Sequence, residues 1–148
     1  MPEDETITLT FANEFTIPGT LDFEDVDVTV DGAEKTLAGS QGATDWTVTV
    51  GGQSIDITSG TDAGEAIGAN ATVTIEIGTN ATAGATGVEQ IENPGSTGSY
   101  EIDVLVGSGG DTGTTRVAIV DEVTVTASVD TTFDFTVVGV AAGGTYNG

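Results

Sequence analysis

The sequence predicts an all-β fold, an immunoglobulin-like β-sandwich of about eight to nine short antiparallel strands. Three observations predict it. Apolar and β-branched residues alternate with polar ones at a period of two along most of the chain, the pattern of strands with one buried face. Turn signals such as Asp31-Gly32, Gly51-Gly52 and Asn93-Pro94 separate these runs. No stretch carries a convincing 3.6-residue helical period. Strands of this kind are stable only when paired into a sheet and covered by a second one.

In chain order, residues 1–5 form an acidic tail. Thr6-Ile-Thr-Leu-Thr-Phe11 alternates, with Ile7, Leu9 and Phe11 on one face. Phe15, Ile17 and Pro18-Gly19 make an apolar loop. Leu21 and Phe23 sit in an acidic run, and Val26, Val28 and Val30 alternate up to the hairpin turn at Asp31-Gly32. Ala33 to Thr44 is polar, with Leu37 as its apolar anchor. Trp46, Val48 and Val50 form the next buried face, and Ser54 to Ile57 returns across Gly51-Gly52 as the second arm of a tight hairpin. Ile67 tucks inward from a loop. Val73, Ile75 and Ile77 make another strand, and a long connection rich in Gly, Ala and Asn leads to Tyr100, Ile102, Val104 and Val106. Gly107 to Gly113 reads as a flexible loop.

The chain then gives its longest alternating stretch, Arg116 to Val138. Val123, Val125, Ala127 and Val129 form one face, and Phe133, Phe135 and Val137 follow. Residues 1–138 are expected to be one domain, and residues 139–148 a linker or interface arm. Phe133 to Val138 either closes the sandwich as a hairpin arm or is exchanged with a neighbouring subunit.

Twenty-four acidic residues against two basic ones, Lys35 and Arg116, give a net charge of −22. That excludes partners that are polyanions, nucleic acid above all, because binding them needs Lys and Arg. It favours cations and salty surroundings, where screening relieves self-repulsion. There is no Cys. No run approaches the roughly 20 apolar residues that span a bilayer, so direct membrane insertion is not expected. No apolar leader follows Met1, so the chain reads as a mature form or an excised piece. The sequons at Asn70 and Asn80 read as chance in a chain rich in Thr.

Catalysis is poorly supplied. With no His and no Cys, the Ser and Thr hydroxyls have no imidazole base and there is no thiol nucleophile. Paired carboxylates could serve an acid-pair glycosidase, but among 24 acids a suitable pair arises by accident, and one Trp is a poor sugar platform. Trp46 reads as core, and Lys35, beside Glu34 in a polar turn, as a solvated charge. Gly107-Ser-Gly-Gly-Asp-Thr-Gly113 lacks the Lys and the helix of a phosphate loop. No enzyme is expected.

Calcium is the cofactor the acids would take. Asp27-Val-Thr-Val-Asp-Gly32 begins like an EF-hand loop, but its twelfth place is Ala38 where a bidentate Glu is needed. A different calcium site remains, with Asp22, Glu24, Asp25 and Asp27 as one candidate ligand group and Asp111 with Asp121 and Glu122 as a second. Asp25 and Asp27 should share a strand face about 7 Å apart. The alternative is a solvated acidic surface.

Thr8-Leu-Thr-Phe11, Phe15-Thr-Ile-Pro18 and Val26-Asp-Val-Thr-Val-Asp-Gly32 resemble the start of a module common in large bacterial and archaeal surface proteins. Ile91-Glu-Asn-Pro94 and Gly98-Ser-Tyr100-Glu-Ile-Asp-Val104 match its later half. Val123-Thr-Val-Thr-Ala127, Asp130 and Phe133-Asp-Phe-Thr136 are similar to exported proteins predicted in candidate-phyla bacteria. The resemblance covers most of the chain through short motifs and offers no catalytic residues. It implies an extracellular, immunoglobulin-like building block of surface layers, stalks or filaments. The expected function is therefore a self-assembling structural subunit at the cell surface, a homo-oligomer formed through β-strand pairing by Thr6 to Phe11 or Phe133 to Val138. The alternative is a calcium-dependent adhesion or carbohydrate-binding module of a larger surface protein, with a glycan ligand.

Overall fold

Among the described residues, alternation becomes eight strands in two antiparallel sheets. A computed structural model describes residues 1–83 and 87–122; the segments expected at Val123 to Val138 and the arm at 139–148 lie outside the described residues. The strands are β1 (Thr6–Phe11), β2 (Val26–Val30), β3 (Ala33–Glu34), β4 (Thr47–Gly51), β5 (Ser54–Thr58), β6 (Val73–Ile77), β7 (Gly98–Val106) and β8 (Asp111–Ile119). A five-stranded sheet runs β4-β5-β1-β7-β8, and a three-stranded sheet runs β3-β2-β6. Among the described residues helix occurs only as short 3-10 turns. The all-β sandwich is as the sequence predicts.

The turns follow from their residues. Asp31 and Gly32 both take positive φ, 51° and 78°, which a two-residue hairpin between β2 and β3 requires. Gly52, at φ 64°, closes β4 onto β5. A parallel bridge from Leu37 to Trp46 links the chain after β3 to the chain entering β4.

Two expectations are corrected here. β1 was one of two segments expected to pair with a neighbouring subunit, but it lies in the middle of the large sheet, with β5 on one edge and β7 on the other. Both rows of its backbone hydrogen-bonding groups are used. The Gly107 to Gly113 loop is shorter than expected. Only Gly107 to Gly110 turns the chain, and Asp111 already pairs with Val106. Thr112 and Thr114 extend β8 because Thr fits an extended, pleated backbone.

Among the described residues, the core is more deeply buried on one side of the sandwich than on the other. Where β5 and β1 face β2, Ile55, Ile57 and Val28 are fully buried and Ile7 is 2% exposed. Where β6 faces β7 and β8, the inward side chains Val73, Ile75, Ile77, Ile102 and Val104 are only half-buried. Among the described residues five strands face three.

Candidate functional site

The acidic run before β2 is a piece of folding machinery. Asp22 caps the 3-10 turn Phe23–Asp25: its Oδ1 accepts from the Glu24 N–H at 2.8 Å, and Asp25 Oδ2 accepts in return from the Asp22 N–H at 3.2 Å. Asp25 Oδ1 also accepts from the backbone N–H groups of Val88 at 2.7 Å and Glu89 at 2.9 Å. Asp27, two residues along, accepts from the N–H of Ala83. Both carboxylates are buried, at 6% and 5% exposure. Burial pushes the Asp25 carboxyl up, but the backbone N–H groups of Glu89, Val88 and Asp22 outweigh it and hold it below the usual aspartate value. Asp25 and Asp27 thus anchor the connection after β6 onto β2.

This geometry bears on the seven candidate calcium ligands. In the first group, backbone N–H donors supply Asp25, Asp27 and Asp22 with the positive partial charge that a cation would bring. Glu24 is exposed. The second group is not brought together. Asp111 opens β8, while Asp121 and Glu122 lie beyond its other end, about 26 Å of strand away. Among the described residues, no group of three or more Asp or Glu is placed to hold a metal ion.

Beside Asp27 lies a cleft of about 430 Å³, lined by Phe23, Glu24, Glu34, Lys35 and Leu37 among others. Lys35 is not the solvated charge expected from its polar neighbours. Its ammonium reaches Glu65 Oε2 at 2.9 Å and lies 5.7 Å from the centre of the Trp46 ring. Trp46 Nε1 donates to the same Glu65 oxygen at 2.7 Å. Burial raises the Glu65 carboxyl, and the bonds from Trp46 and Lys35, with the charge of Lys35, bring it below its usual value. Sequence reading missed this trio because its members come from three separate stretches. A polar turn ending at an anchor such as Leu37 was the one local sign. The cleft's cation is thus already neutralised by Glu65, and its walls carry the carboxylates of Glu24, Asp27 and Glu34.

The more distinctive surface is apolar. A groove of about 410 Å³ runs between the sheets, lined by Val73, Ile75 and Ile77 of β6, Ile102 and Val104 of β7, and Thr115 of β8 among others. Its rims are the outer edges of β6 and β8, neither of which has a partner strand among the described residues. β8 is the more accessible, with its first six residues exposed. Arg116 on β8 reaches back to β7, pairing with Glu101 and donating to Ser99. No family model, curated protein or solved structure matches the chain.

Proposed function

We propose that the chain is an extracellular structural subunit that assembles with copies of itself by β-strand pairing. The observation that carries this reading is the outer edge of β8, which has no partner strand among the described residues. It is nine residues long, exposed over most of its length and without proline or lysine. Monomeric β proteins blunt such an edge with charge, proline or a bulge. Here Asp111 and Arg116 are the only charges on the strand and cancel, in a chain of net charge −22. It is a stretch on which two copies meet without adding to their repulsion. The extracellular setting rests on composition, with its single Lys and many Thr, and on the resemblance to surface modules.

Electron microscopy of the purified chain, in low salt, in high salt, and with calcium before and after chelation, tests the proposal. Filaments or sheets should form once the charge is screened, and Arg116→Glu, which makes the edge net acidic, should raise the salt needed for them. Dispersed single particles in every condition would overturn the self-assembly reading. Assembly that needs calcium rather than salt would return attention to the acidic groups.

A further inference from the structure

We infer that Asn70 is the acceptor of an N-linked glycan, and that the fold withholds the second sequon, Asn80, from the same modification. This rests on the extracellular setting proposed above and not on self-assembly.

Asn70-Ala-Thr72 and Asn80-Ala-Thr82 both carry what an oligosaccharyltransferase reads, an Asn amide and a Thr hydroxyl two places on. Composition treats the two alike, and the fold does not. Transfer needs a sequon on a surface loop. It also needs the acceptor backbone to leave its own structure and bend into the enzyme, so access is set by the cost of opening locally.

Asn70 lies in the connection between β5 and β6, at the end of the exposed run Gly68-Ala-Asn70. Its φ of 64° turns the chain there, in the left-handed region that Asn enters more readily than most residues. The hydrogen bond across this turn, from the Ala71 N–H to the Gly68 carbonyl, is long at 3.3 Å. Thr72 is exposed too. Regular structure resumes only at this point: Thr72 and Asp31 exchange two bonds of 2.8 Å, and β6 starts at Val73. Opening this sequon costs one surface turn and the Asp31 clamp, and unpairs no strand.

Asn80 is also exposed, but its sequon is built into the packed end of β6. It closes the 3-10 turn Gly78–Asn80. The middle residue, Ala81, is fully buried. Its N–H donates to the Gly78 carbonyl at 2.8 Å, and its carbonyl accepts from the Gly87 N–H at 3.1 Å. Beyond Thr82, the Ala83 N–H is held by the buried Asp27 carboxylate. A Cβ placed on Gly87 would collide with the Gly78 carbonyl, which shows how close these backbones lie. Presenting Asn80 to an enzyme means undoing this packing.

The donor is an oligosaccharide carried on a lipid phosphate. Asn70 Nδ2 attacks C1 of its first sugar, and the N–C bond forms as the C–O bond to the phosphate breaks. The phosphate leaves with the bonding pair, and one amide proton passes to a base of the transferase.

Cleavage after Glu separates the two sequons, because Glu65, Glu76 and Glu89 bound the peptides Ala66–Glu76 and Ile77–Glu89. The full chain is isolated from the exterior and the interior of its own cells and digested. Both peptides are weighed before and after enzymatic glycan release, which leaves Asp at an occupied Asn. A glycan is expected on Ala66–Glu76, with occupancy about tenfold or more above that of Ile77–Glu89, because local opening limits the second site. Thr72→Ser should keep the glycan and Thr72→Val should abolish it, which separates recognition of the hydroxyl from any effect of the variant on folding. Bare Asn70 in chain from the cell exterior overturns the proposal and leaves the extracellular reading intact. Chain confined to the interior, with Asn70 bare, overturns both. Equal occupancy of the two sites overturns the selection assigned to the fold.

Discussion

Replacing Asp25 by Ala removes the acceptor for three backbone N–H groups at once, those of Val88, Glu89 and Asp22. A buried donor left without an acceptor costs about 1–3 kcal/mol. We take the low end for each, because losing the carboxylate also removes the cost of burying its charge, and expect a loss of about 3 kcal/mol. That is a large share of the roughly 5–15 kcal/mol that holds a domain together. Asp25→Asn keeps one oxygen for Val88 and Glu89 and gives up the longest bond, to Asp22, so it should lose about 1 kcal/mol. Urea unfolding followed by the fluorescence of Trp46, the single Trp, measures both. It should be run in high salt, so that relief of net charge does not mask the effect.

The pH dependence gives a second handle on the same residue. The folded-state pKa of Asp25 lies below its ordinary value. Its stabilisation is therefore present above the unfolded pKa of about 3.9 and is lost as the pH falls through the lower folded value. Asn does not titrate, so the gap between natural chain and Asp25→Asn should be constant near neutrality and close below about pH 4. A gap that stays the same down to acid pH, or an Asp25→Ala chain as stable as the natural one, would refute the role of this carboxylate as a backbone anchor.

Glu65→Gln leaves the Trp46 N–H an acceptor but strips Lys35 of its counter-charge, and should cost about 1–2 kcal/mol in urea unfolding. Its effect should likewise fade in acid, because the folded pKa of Glu65 is also lowered. Gly60→Ala puts a Cβ 2.5 Å from the carbonyl oxygen of Ala43, which must shift, at about 1–3 kcal/mol. Gly64→Ala meets open space and should leave the melting temperature unchanged or raise it slightly.

Much of the fold was legible because alternation is a local property. The strands around Ile7, Val28, Ile55 and Ile75 stand where period two puts them, and Asp31-Gly32 and Gly51-Gly52 turn the chain as their residues require. Strand order was not legible. Nothing near Thr6 says that Thr58 will lie on one side of β1 and that Val106 will pair with Ile7 on the other, so β1 was open to pairing with a neighbouring subunit. The acidic run misled in the same way. Asp25 has the residue type of a cation ligand, but its partners are backbone N–H groups that arrive from Val88 and Glu89. Lys35 looked solvated beside Glu34 and Thr36, and is drawn inward by Glu65 and Trp46.

Lys35 and Arg116 are the chain's only basic side chains, and each is held by a carboxylate. A protease that cuts only after Lys and Arg therefore has two targets, one beside the core where β5 and β1 face β2 and one on strand β8. Cleavage at either demands local opening. The order in which the two bonds are cut would rank the stability of the sandwich's two sides in a single digest, with the products separable by mass alone.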